Sequence, residues 1–382
     1  MGLPRLVYRL GKVDKPIAAA LRKLCRDCSR ALRINLADRL AVLEKPAQEL
    51  MWQLVDIFIA HEKKFSVLQA VVHSLDRLWL TSPDLVRERL RLISRHVTQC
   101  APADHGIHAI LASKYLFRFL RTGDAECEAY VERLIADGDN EYASRALEKQ
   151  LHACRSGGWL TAGDGSTTDV FADTCRARTW AFFSKLLSAA QARLHKYREQ
   201  WQQLHQNAQP DAEAVKDVQA VIDRTSRLVD DIAMQLYFAS GAFAEKQSKD
   251  EPPLSKAQLK RFWKEAEPLL DALSSEPHPH TASHVVQTLH HLLPYAPKEA
   301  FILASKSICS SASAGFQYES LAVGSVVRLI QRALADHRDI FQSVGGMESE
   351  CLESLLKVLD LFVEAGWHEA RKLTHRLEEI YR

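Results

Sequence analysis

The residues of this chain best suited to chemistry are its clustered histidines and one closely spaced pair of cysteines. Cys25 and Cys28 form a CxxC, the spacing that pinches a metal ion or cycles between dithiol and disulfide. A structural zinc site wants four ligands, and no second CxxC or histidine pair stands at finger spacing. A redox CxxC opens a helix that follows a strand, whereas this one lies inside an amphipathic helical pattern, so both thiols are expected to be core side chains. The run PHPHTASH (277–284), followed by His290 and His291, places His280 and His284 one helical turn apart, where two imidazoles can share a metal. Glu276 is the one carboxylate nearby, and the stretch is read as a solvated linker entering an ordinary helix. HEKKF from His61 and HEARK from His368 begin like the metal-binding HExxH, but Phe65 and Lys372 stand where the second ligand belongs. GDGST (163–167) could offer backbone amides to a phosphate, yet no lysine follows, and it is read as a turn. The phosphate-cradling GxxxxGK loop and the GxSxG nucleophile elbow are both missing. No metal and no cofactor are expected.

Two strings have the form R-x4-H, namely RLISRH (Arg91, His96) and RALADH (Arg332, His337). They resemble the catalytic motif of HEPN ribonucleases, a family that is also all-helical. The resemblance implies an RNA-cleaving pair at a dimer interface, with His337 in acid and base roles and Arg332 on phosphate charge. Leu92 and Ala333 follow the arginines where that family carries a polar residue. A different candidate lies at the start of the chain. Residues 1–40 hold ten Lys or Arg against three Asp, in a chain whose net charge is only +2. Arg22, Arg26, Arg30 and Arg33 lie largely away from the apolar face of one helix and could neutralise phosphates of a nucleic acid, or an acidic partner. Tyr8 is the one aromatic residue there, so base stacking has little to work with.

These residues have to be positioned by helices. Apolar side chains recur at steps of three and four almost everywhere, and long β-branched alternation is missing. With 382 residues, 47% hydrophobic and 26% charged, the chain can bury a large core and exceeds the length at which one core stops growing. Its eight scattered cysteines lack the density of a secreted disulfide scaffold, which suits a reducing, cytoplasmic compartment. The first residues lack the apolar core of a signal peptide, and no run of ~18 uncharged apolar residues could cross a membrane. The first helix is expected after Pro16, with Ile17, Leu21, Leu24, Cys28 and Leu32 on one face. Amphipathic helices follow near 45–60, 64–80, 83–99, 105–121, 125–136 and 140–154, with Ser82 and Pro83 forming one clear start. The glycines of 157–169 mark a boundary. Trp180, Phe183, Leu187, Ala190, Leu194, Tyr197, Trp201 and Leu204 then alternate steps of three and four. After NAQPD the rhythm resumes at Val215, Val218, Ile222, Thr225, Val229, Ile232, Leu236, Ala239 and Phe243. This is a heptad seam on two helices of ~45 Å each, expected to pair as an antiparallel coiled-coil hairpin. Pro252 and Pro253 break the chain in the linker 245–256, and helices return near 255–274, 282–293, 298–311, 319–335, 349–365 and 367–381, with Gly366 as a stop.

The segments SHVVQTLHHLLPYAPKEAFILASKSI and SECLESLLKVLDLFVEAGWHEARKLTHRLEEIYR resemble HEAT or armadillo-type repeats, across residues 282–382 and more loosely 34–155. The resemblance implies a protein-binding or scaffolding role with no chemistry attached. The expected architecture is therefore all-α, an irregular α-solenoid of antiparallel helix pairs around a long central hairpin. Its parts are a repeat region 1–156 with the basic first helix, the hairpin 170–246, and C-terminal repeats 254–382. A scaffold for a protein partner is the leading expectation, followed by a nucleic-acid module and then a HEPN-like ribonuclease. The chain ends in a well-formed helix but starts with no cap for its first apolar surface, which suggests a section of a larger protein.

Overall fold

The carboxylate of Asp14 accepts the Ile17 N–H at 2.8 Å, so α1 (Lys15–Leu24) opens with Pro16 in its first turn, where a missing N–H costs nothing. The single helix expected from Pro16 through Leu32 is in fact two. Asp27 Oδ1 takes the Ser29 N–H at 2.7 Å and the Ser29 hydroxyl caps α2 (Arg30–Ala37), so short polar side chains outcompete the helical ladder. Leu32, assigned by period to the apolar face, is accordingly 49% exposed. The structure is a computed structural model that describes residues 11–100, 105–156, 158–161, 170–206, 211–243, 254–342 and 349–381. Every regular element among the described residues is a helix, and none is long and apolar enough to cross a membrane. The glycine-rich 162–169, most of the linker 245–256, and Arg5 and Arg9 lie outside the described residues.

The chain divides into two compact units, one of Met1–Phe119 with Gly123–Gln150 and one of Leu120–Thr122 with Leu151–Arg382. In the first, α3 (Glu44–His61), α4 (Phe65–Arg77) and α5 (Pro83–Cys100) pack on one another, while α1 meets α3 and α2 meets α4. Leu21, Met51, Leu54, Phe58, Val71 and Leu75 are fully or almost fully removed from water there. The next helices are α6 (His105–Thr122), α7 (Ala125–Ala136) and α8 (Glu141–Ser156). Asp124 caps α7 by accepting the Glu126 and Cys127 N–H groups. A polar clamp joins α4 to α6, because Asp76 accepts from Lys114 at 2.6 Å and from Arg118 at 2.9 Å. The Arg118 guanidinium lies 3.7 Å from the centre of the Trp79 ring. Burial holds this guanidinium below its usual pKa, and the Asp76 charge works against that.

The second unit contains α9 (Val170–Gln206), α10 (Ala212–Ala239), α11 (Lys256–Ser274), α12 (Pro279–Leu292), α13 (Pro297–Ser311), α14 (Ser320–Asp336), α15 (Glu350–Glu364) and α16 (His368–Tyr381). Odd-numbered helices meet odd ones, α9 with α11, α11 with α13 and α13 with α15. Even ones do likewise, α10 with α12 and α12 with α14, and each sequential pair α9/α10, α11/α12, α13/α14 and α15/α16 is also in contact. Local chemistry sets the ends. Ser255 and Gln258 form a reciprocal capping box on α11. Gly366, at φ +87°, closes α15 in the left-handed conformation expected of it, with Trp367 N–H donating to Phe362 O at 2.9 Å.

Burial along the two longest helices is uneven. From Trp180 to Leu194 the apolar seam of α9 is buried, whereas Tyr197, Trp201 and Leu204 are half-buried. On α10, Val215 and Ile222 are half-buried, while Thr225, Val229, Ile232, Leu236 and Ala239 are buried. The second half of α10 also buries Leu228, Ala233, Gln235 and Tyr237, a wider stripe than a two-helix seam needs, because α11 and α12 pack against it as well.

Candidate functional site

Three segments of the second unit meet in a polar groove. On α10, Ile222, Asp223, Ser226 and Arg227 recur at the helical period and share one face. Arg198 comes from α9, and His278 from the turn between α11 and α12. Together they line a groove of about 580 Å³. The turn is specified locally, since Pro279 disfavours helical geometry in the residue before it, and His278 sits extended at φ −123°, ψ 121°.

Electrostatics in the groove are mixed. Arg198 Nη1 stands 3.6 Å from Glu276, whose side chain is 8% exposed and also takes a 2.9 Å hydrogen bond from Gln191 Nε2. Asp223 Oδ1 is occupied by Gln219 Nε2 at 2.7 Å. The Nδ1 atom of His278 is buried and has no hydrogen-bond partner among the described residues. Burial lowers the pKa of this imidazole, Asp230 pulls it up, His280 and Arg198 push it further down, and Glu276 raises it slightly. One turn along, Asp230 Oδ1 meets His284 Nδ1 at 3.2 Å and Thr281 Oγ1 at 3.4 Å, a carboxylate that orients an imidazole. Burial raises the pKa of the neighbouring Asp231.

The histidine run is thus part of a packed face, and the expected solvated linker is not what forms. His284 is held by Asp230 while His280 is exposed beside His278, their ring centres 5.7 Å apart. Among the described residues no group of three or more His, Cys, Asp or Glu is arranged to hold a metal. The CxxC is split as well. Cys25 is buried and its thiol is pushed up to about 12, whereas Cys28 is exposed. Burial likewise pushes Cys127 and Cys154 to about 12. Because the thiolate is the nucleophile, an alkylating reagent at pH 8 is expected to mark Cys28 quickly and to leave Cys25, Cys127 and Cys154 protected until the chain unfolds, as peptide mass mapping would show.

The basic residues singled out by sequence are spread over three segments. Arg22, on α1, donates to Gln53 Oε1 at 2.7 Å. Arg26 lies in the turn and Arg30 at the start of α2, both exposed. Arg33 grips Glu62 with two bonds of 2.7 and 3.2 Å and also donates to the Asp27 and Cys28 carbonyls, so it holds the turn that breaks the helix. Arg332, one turn before the end of α14, donates to His290 O at 3.3 Å and lies 3.8 Å from Asp336. His337 is the residue after that helix, and its buried Nε2 has no hydrogen-bond partner among the described residues. Arg91 is held by Glu126 through bonds of 3.0 and 2.8 Å, and His96 follows on α5. His61 ends α3 and His368 opens α16, while GDGST lies outside the described residues. Arg198, Ser226, Arg227 and Asp230 were not singled out by sequence. They flank an apolar seam one at a time and form no local motif. The chain matches no model of a known protein family and no curated protein.

Proposed function

We propose that this chain is a helical-repeat scaffold that holds a protein partner. The observation that supports it is the packing order of residues 170–381, in which successive helix pairs meet, odd helices with odd ones from α9 to α15 and even with even from α10 to α14. Neighbour-only packing of hairpins is how an α-solenoid extends its surface, and such surfaces serve binding through scattered anchors. The ends of α9 and α10 on either side of residues 207–211 offer anchors of the right type. Tyr197 and Trp201 are half-buried, Trp201 stacks on His205 with ring centres 3.8 Å apart, and Lys196 covers Tyr197 at 4.7 Å. Buried free cysteines agree with a reducing, cytoplasmic setting for this scaffold.

The test is affinity purification with the full chain, followed by crosslink mapping on the recovered partner. Crosslinks are expected near residues 193–218, and Trp201→Ala is expected to weaken capture by about tenfold or more while leaving helix content intact. Crosslinks that avoid this segment, or RNA cleavage by the purified chain that is lost in His337→Ala, would replace the scaffold reading.

A further inference from the structure

We propose that the groove between Arg198, Ser226, Arg227 and His278 binds a phosphate-type oxyanion, as the free ion or as the end of a small phosphate monoester. Its cationic and hydroxyl groups are only lightly committed to the fold. Among the described residues neither the Arg227 guanidinium nor the Ser226 hydroxyl makes a hydrogen bond, and Arg198 has only the long contact to Glu276. A buried ring nitrogen without a partner calls for an explanation, and His278, whose Nδ1 is such an atom, is one of the residues that line this groove. Two guanidiniums, a hydroxyl and an imidazole on three separate segments surround a tetrahedral anion better than a flat carboxylate, which a single arginine fork satisfies.

Opposing charge is present but engaged. Asp223 already accepts from Gln219, and the Glu276 carboxylate lies behind Arg198 where Gln191 holds it. An anion entering the groove would draw Arg198 away from its 3.6 Å contact and give the Arg227 guanidinium a hydrogen-bond acceptor in addition to the Asp231 charge it already feels. The volume of about 580 Å³ exceeds what inorganic phosphate fills, and Ile222 supplies an apolar wall against which a small organic group could rest. This inference does not depend on the scaffold reading, since the groove could serve as an effector site on a scaffold or on an enzyme.

Titration calorimetry on the full chain, with inorganic phosphate and ribose 5-phosphate as ligands and chloride at equal ionic strength as the control, tests it. Saturable binding is expected at about millimolar concentration or below, and Arg227→Gln is expected to weaken it by about tenfold or more. Among the described residues Arg227 makes no hydrogen bond and acts on the fold only through the Asp231 charge, so its loss is expected to move the melting curve little. Arg198→Gln and His278→Gln should weaken binding too, whereas Arg145→Gln in the first unit should not. Tighter binding of the sugar phosphate would assign a monoester and equal binding the free ion. Absence of saturable heat, equal competition by chloride, or affinity unchanged in Arg227→Gln would overturn the assignment.

Discussion

Replacing Asp76 with Asn is expected to destabilise the first unit by ~2 kcal/mol, less than the ~3 to 5 kcal/mol lost when one partner of a fully buried ion pair is removed, because the Asp76 side chain is 35% exposed. Asp76 is the shared acceptor of Lys114 and Arg118, and the Arg118 side chain is 4% exposed, so its charge has little water to fall back on. Stacking on Trp79 compensates in part, because the ring face attracts the cation, but a ring cannot accept the guanidinium N–H bonds as a carboxylate does. An asparagine at 76 keeps one acceptor oxygen but has neither the charge nor the second oxygen that now serve Lys114 and Arg118. Arg118→Met removes the charge while keeping the stem, and is expected to cost much less than Asp76→Asn. The double variant Asp76→Asn/Arg118→Met should therefore regain most of the loss, a coupling that a cycle of hydrogen-exchange protection factors across α4 and residues 105–119 would measure. If the double variant is as unstable as the sum of the singles, the clamp carries no coupled charge.

In the second unit, Phe183→Ala is expected to cost ~3 to 5 kcal/mol, the range for deleting a fully buried aromatic ring. Phe183 is 0% exposed on the seam of α9 and meets Phe182 edge to face, with ring centres 5.9 Å apart. Trp201→Ala, on the same seam, is expected to cost only ~1 kcal/mol, because Trp201 is already partly exposed before the change. Urea unfolding of the two variants separates the embedded half of α9 from its outer half. Equal losses would mean that the outer half is as tightly packed as the inner, and would take away the surface on which the scaffold reading places its anchors.

Much of the helical layout was legible because its signals are local. Pro16 with Asp14, Ser82 with Pro83, Pro297 and Gly366 each act within four residues of where they sit, and each stands at a helix boundary in the structure. The error at Cys25–Ser29 has the same origin, seen from the other side. An apolar period of three and four continues across a short break without losing phase, so periodicity alone could not find the turn that Asp27 and Ser29 make.

The order of odd-with-odd and even-with-even packing, the wide burial of α10 and the polar groove belong to the tertiary level. Arg198, Arg227 and His278 are 29 and 51 residues apart in sequence, and no rule of spacing brings them together. Their meeting depends on α12 lying across α10, which long-range burial of apolar faces decides. Sequence by itself determined that this chain is built of helices and where most of them start and stop, since caps, prolines and period act over a turn or two. Which helices became neighbours, and hence which charges share a groove, was decided only when those faces were buried together.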